Sequence, residues 1–333
     1  MKLSTLLFLG LFWVIFSQSQ NLQWKEFDTP VKASLRGLSP VSGQVCWASG
    51  SGGTWLKTTN GGETWEHGVI AGLDSVDFRS IQAFDSNTAV VASAGQPALI
   101  LRTENGGRTW DCVHEEGDQA FFDGISFLNK KRGFLIGDPV NGNWMVLETL
   151  DGGKNWKSLE NLPPAETGEA AFAASASSLI AIKKGLIFGT GGSISNLYFY
   201  DFSDQTWDKV KTPMLQGEAS QGIFAVTSIE SRIVAVGGDY TKPDFRDRNA
   251  VRFGGDSFEN PIASPLGYRS GLGYFKKIGI VIAVGPSGSD FSKDEGLNWE
   301  NFSMTGYHAV KVSSDGNSTW ASGGNGRIGR LIH

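Results

Sequence analysis

Cysteine is scarce: Cys46 and Cys112 are the only two in 333 residues. Two thiols cannot build a cysteine-rich metal site, and four scattered histidines add no ligand cluster, so neither a metal nor a cofactor is expected. The repeat register described below places the two cysteines in neighbouring units at different depths, which predicts two buried free thiols rather than a disulfide. No run of Lys and Arg stands out and the net charge is −5, which argues against nucleic acid as a partner. Long apolar runs are also lacking. The single candidate, Leu6–Phe16, follows the positive charge of Lys2 and precedes the small residues Ser17 and Ser19. It is too short to span a bilayer comfortably and reads as an export signal over residues 1–19, leaving residues 20–333 as one exported domain with no transmembrane segment. Helical periodicity is missing beyond that signal. An Ala-rich stretch from Ala165 to Ile182 imitates a helix, but its place in the repeat predicts a strand.

What is abundant is glycine, at 44, and tryptophan, at 11, the combination of many short strands and tight turns. One pattern recurs, Ser/Thr-x-Asp/Asn-x-Gly-x-Thr/Asn-Trp. Four copies end at Trp65, Trp110, Trp156 and Trp299, and two degenerate ones at Trp207 and Phe258. With the isolated Trp24 they stand about 41–51 residues apart, the period of one four-stranded propeller blade. The residue types have local reasons. Asn60, Asn105, Asp151 and Asp294 accept backbone N–H bonds and fix a turn. Gly62, Gly107, Gly153 and Gly296 permit a backbone angle closed to other side chains. The tryptophan is an apolar plate for the seam between blades. These Asp boxes are structural, and their acids are read neither as catalytic nor as calcium ligands.

Two apolar runs precede each box, as in Ile125–Leu128 and Gly133–Asp138, and read as inner strands. Six units end at a box aromatic; a seventh begins at Tyr307 and stops at His333 without one. Trp24 and its flanking strand supply the missing piece. The fold class is therefore all-β, a seven-bladed propeller closed by its N-terminal strand, which leaves no open sheet edge.

A polar residue opens each innermost strand: Arg36, Arg79, Asp123, Glu169, Gln221, Arg269 and His308. Innermost strands line the channel, so these seven are expected to ring one mouth, as a binding cup or as channel lining. Loops between second and third strands open on that face and add Asp138, Asp239 and Tyr240; the Asp boxes lie on the other. Three arginines suit a carboxylate or another anion. Their arc beside the acids Asp123 and Glu169 suits a dipolar ligand or a charged peptide.

The boxes, the seven units, the closing strand and the motifs at Gly137 (GDP), Gly237 (GGDY) and Gly323 (GGNGRIGRL) together resemble the photosystem II stability/assembly-factor-like propellers, within the sialidase-type (BNR) repeat superfamily. The resemblance covers Asn21 to His333. It implies a non-enzymatic assembly or stability factor with an arginine-lined docking face, to which Arg36, Arg79 and Arg269 correspond by register. The expected partner is a protein or peptide segment, with a glycan as the alternative. Sialidases share the boxes but also carry an Arg-Ile-Pro element, absent here; the nearest sequence is Arg232-Ile233-Val234. A hydrolase would need two facing carboxylates, for which Asp123, Glu169 and Asp138 are the candidates.

Overall fold

The computed structural model describes residues 22–333, so the export signal assigned to residues 1–19 lies outside them. Seven antiparallel sheets follow one another around a central axis. The first shows the plan: Leu35–Pro40 innermost, then Cys46–Gly50, Thr54–Thr58 and Glu66–Val69 outermost. Innermost strands of neighbouring blades pack on one another around the axis. Closure is as expected. Gln23–Phe27 lies outermost in the seventh sheet, outside Ile328–Ile332, with Trp24 opposite Leu331. No helix long and apolar enough to cross a membrane occurs among the described residues.

The boxes occupy the turns between third and fourth strands. In the third blade, Thr149 Oγ1 accepts the Gly153 N–H (2.9 Å) and Asp151 Oδ1 those of Lys154 and Asn155 (3.0 Å each). Burial pushes the Asp151 carboxyl up, but bonds from Asn155, Thr149 and Lys154 outweigh it and hold the group at about 2. Gly62 has φ +94°, and a β-carbon there would sit 2.5 Å from the Phe27 ring. That glycine lets the first blade's box close against the strand that completes the seventh. Box aromatics fill the seams: Trp110 meets Trp47 and Trp55 of the blade before it, and Trp299 joins Val234 and Val236 of its predecessor. Both thiols are free, Cys46 buried as expected, but Cys112 is exposed on an outermost strand. An outermost strand has no blade beyond it to cover the outward side chains.

The Ala-rich stretch departs most from expectation. Only Leu179–Ile182 forms the fourth blade's innermost strand, and Glu169–Ala170 pairs with Gly191–Gly192 to widen the fifth sheet to six strands. Between them, residues 171–178 form no strand and cross the channel. Their polar groups bond to five different blades. Asp138 Oδ1 takes the Ala171 N–H (3.0 Å), Arg36 donates to the Ala174 carbonyl (3.1 Å), and Ser175 Oγ donates to the Ser270 carbonyl (2.5 Å). Lys311 donates to the Ala176 carbonyl (3.3 Å), and the Val226 N–H to that of Ser177 (2.8 Å). Alanine and serine, at every position of 171–178 but Phe172, suit a segment packed among closely spaced inner strands. The segment is a plug, and it gives the channel a floor.

Candidate functional site

The floor turns the channel mouth into a cup with a cavity of about 510 Å³, within the range of small-ligand pockets. Its walls come from one position in successive innermost strands. The residue is Arg36, Arg79, Asp123, Phe224, Ser270 and His308, each followed by a small residue: Gly37, Ser80, Gly124, Ala225, Gly271 and Ala309. At Arg36, Asp123 and Phe224 the strand bulges by one residue, so the pairing register skips the side chain that lines the cup. Bulges of this kind re-aim side chains beside functional sites.

Four of the seven expected ring residues, Arg36, Arg79, Asp123 and His308, line the cup, as do Asp138 and Tyr240 from the loops. The other three do not. Arg269 is fully buried, with Nε 2.5 Å from Asp290 Oδ2 and Nη1 donating to the Tyr268 carbonyl and Ser287 Oγ; its neighbour Ser270 takes the wall position. Glu169, displaced by the plug, accepts from Thr190 (2.5 Å), Asn196 (2.8 Å) and Tyr198 (2.9 Å) and braces the fourth blade. Gln221 donates to Asp239 (3.2 Å), three residues before the bulge that presents Phe224. Asp239 is itself buried and organises the loop by accepting from Thr241. Burial raises its carboxyl, but bonds from Thr241, Ser220 and Gln221 prevail and hold it at about 2. The three carboxylates considered for hydrolysis therefore do not share a site: Asp123 and Asp138 face the cup, and Glu169 is turned into the fold.

Charge is divided around the wall. Arg36 and Arg79, from the first and second blades, form a positive arc; burial and the neighbouring Arg79 lower the Arg36 pKa, yet a guanidinium stays charged. Asp77 was missed from the sequence, and it matters, because it holds Arg79 at 2.7 Å and offsets its charge. Asp123 and Asp138, from the third blade, come next. Burial raises both carboxyls, and the charge of Asp138 raises Asp123 further against the opposing pull of Arg79. The fifth and sixth blades and the plug supply an aromatic wall: Phe172 of the plug stacks on Phe224 at 3.8 Å and 12°, and Tyr268 meets Phe224 edge-on at 4.7 Å. His308 completes the circle. Burial, then the charges of Arg36, Arg79 and Arg327, lowers its pKa to about 4, so it is neutral at physiological pH. Its Nε2 lies 3.3 Å from Ser34 Oγ. Among the described residues no cluster of His, Cys, Asp and Glu is arranged to hold a metal ion.

Residues 16–118, spanning the closing strand and the first two blades, match the family described as photosynthesis system II assembly factor YCF48. Over that third of its length the chain is similar to the photosystem II assembly factors. Solved structures agree on the fold. "YCF48 bound to D1 peptide" superposes with a TM-score of 0.65 at 16% identity, over 93% of this chain and 95% of that one. "YCF48 from Cyanidioschyzon merolae" gives 0.62 at 17% identity over 92% and 98%. "Structure of U3-55K" gives 0.63 at 12% over 94% and 99%, and the three likenesses show the fold alone. Among curated proteins, no sequence matches the chain.

Proposed function

We propose that this chain is an exported, non-enzymatic binding propeller that captures a segment of another protein in the cup. The observation that carries the reading is the plug. It converts an open channel into a blind cavity with a positive arc, a negative arc and an aromatic wall, a shape that takes a chain end or a projecting loop rather than a folded surface. The relative whose structure is described as YCF48 bound to D1 peptide supports a peptide as the occupant, and the match to the assembly-factor family supports a role without catalysis. The hydrolytic reading loses Glu169, which is fully engaged inside the fold.

Cross-linking with a lysine-reactive reagent in cells of the source organism, followed by mass spectrometry, tests this. Exposed Lys242 stands in the loop that overhangs the cup, whereas exposed Lys154 and Lys293 lie in boxes on the opposite face. Partner cross-links should concentrate at Lys242; cross-links confined to Lys154 and Lys293 would place the interface on the wrong face. The same sample tests export, because a mature N-terminus near Gln20 is expected and an intact Met1 would contradict it.

A further inference from the structure

Asp123 is fully buried in the wall of the cup, and neither of its carboxyl oxygens has a hydrogen-bond partner among the described residues. A buried polar group left unpaired is costly, and native structures keep one only where something else satisfies it. The obvious internal partner, Arg79 in the adjacent blade, directs its Nε at Asp77 instead and makes no hydrogen bond to Asp123. The second carboxylate nearby, Asp138, spends one oxygen on the Ala171 N–H of the plug and adds negative charge at the same place. Phe172, Phe224 and Tyr240 line the same cup as the pair, packed on one another.

We propose that Asp123, with Asp138 beside it, forms a cation subsite that receives a primary ammonium group, the side chain of a lysine, from the segment bound in the cup. The proposal rests on the peptide reading above and specifies its chemistry. A lysine matches the site in both halves: its aliphatic stem lies along aromatic rings while its head reaches the carboxyls. Its three N–H donors supply what two unpartnered oxygens lack. With Arg36 and Arg79 on the neighbouring arc, a carboxylate next to that lysine in the bound segment is accommodated as well. The preferred segment therefore carries a base, an acid and an apolar residue close together. Burial raises the Asp123 carboxyl, and an ammonium beside it would act in the opposite direction by favouring the charged form.

The probe is the tripeptide lysine–phenylalanine–glutamate, acetylated and amidated so that the two side chains carry its only charges. It is titrated calorimetrically into the wild-type protein beside the same peptide with norleucine in place of lysine. The lysine peptide should bind at least about tenfold more tightly. In Asp123→Asn the two peptides should bind within about twofold of each other, while glutamine in place of the glutamate still weakens both. Equal affinity of the lysine and norleucine peptides for the wild type overturns the subsite and leaves the peptide reading standing, and this comparison does not depend on the variant folding. A lysine preference that survives in Asp123→Asn also overturns it. If neither peptide binds, the peptide reading of the cup falls, and the subsite with it.

Discussion

The same residue types do opposite work on the two faces of this molecule, and hydrogen bonding separates the cases. Asp151 on the box face is exposed, saturated with donors and ionised well below the usual carboxylate range; Asp123 in the cup is buried, bare and shifted upward. Asp151→Ala should therefore cost roughly 1 kcal/mol in urea unfolding, the scale of a lost capping acceptor, and leave binding at the cup unchanged. Loss of binding in a folded Asp151→Ala protein would show that the faces are misassigned. His308 makes a separate prediction. Its folded pKa of about 4 lies below the unfolded value of 6.5, so the folded state binds fewer protons between those limits. Its share of stability is complete above pH 6.5 and is lost as the pH falls toward 4, by at most about 3 kcal/mol. The raised carboxyls of Asp123 and Asp138 act in the other direction, contributing stability that is present at low pH and lost as the pH rises. In His308→Gln the urea midpoint should fall less steeply on acidification than in the wild type; an unchanged slope would show that His308 titrates normally.

Among the elements, the closing strand was legible in the sequence and the plug was not. Trp24 stands at blade spacing before Trp65, and the last unit lacks a fourth strand, so counting alone pairs them. In the structure Trp24 donates to Ser289 Oγ (3.0 Å) and packs on Phe302 and Tyr307. Trp24→Ala should cost about 3 kcal/mol and unfold the ring as a unit; a loss under about 0.5 kcal/mol would mean that closure depends on other contacts. The plug escaped because alanine and serine carry neither strand nor turn signals. Its identity lies in contacts with five blades, which no local pattern encodes. Burial lowers the Lys311 pKa to about 8, and this lysine anchors the plug through the Ala176 carbonyl. Lys311→Met should speed amide hydrogen exchange across residues 174–178 while the blades stay protected; unchanged exchange there would show that the remaining four blades suffice. The ring was half legible for a related reason. Gln221 and Phe224 differ by three residues along one strand, and the bulge that presents Phe224 leaves no signature in the sequence. Arg269 and Ser270 are neighbours, and the buried Asp290 that engages Arg269 lies 21 residues away along the chain.

At the scale of the whole molecule, two demands are met at opposite ends of one ring. The box face uses repeated, internally satisfied turns to hold the seams together, so its residues recur from blade to blade. The cup uses the same strand position in six of the seven blades, but with five chemistries: guanidinium twice, then carboxyl, phenyl, hydroxyl and imidazole. Uniformity on one face and divergence on the other are what a scaffold with a single asymmetric site requires. The central claim is that this asymmetry recognises a charged segment of a partner protein. The most direct test is to titrate the segment identified by cross-linking against the wild type and Arg79→Glu at low and high salt. Binding at least about tenfold weaker in the variant, and weakened by salt in the wild type, is the predicted result. Affinity indifferent to both changes would contradict it and leave the ring as plain channel lining.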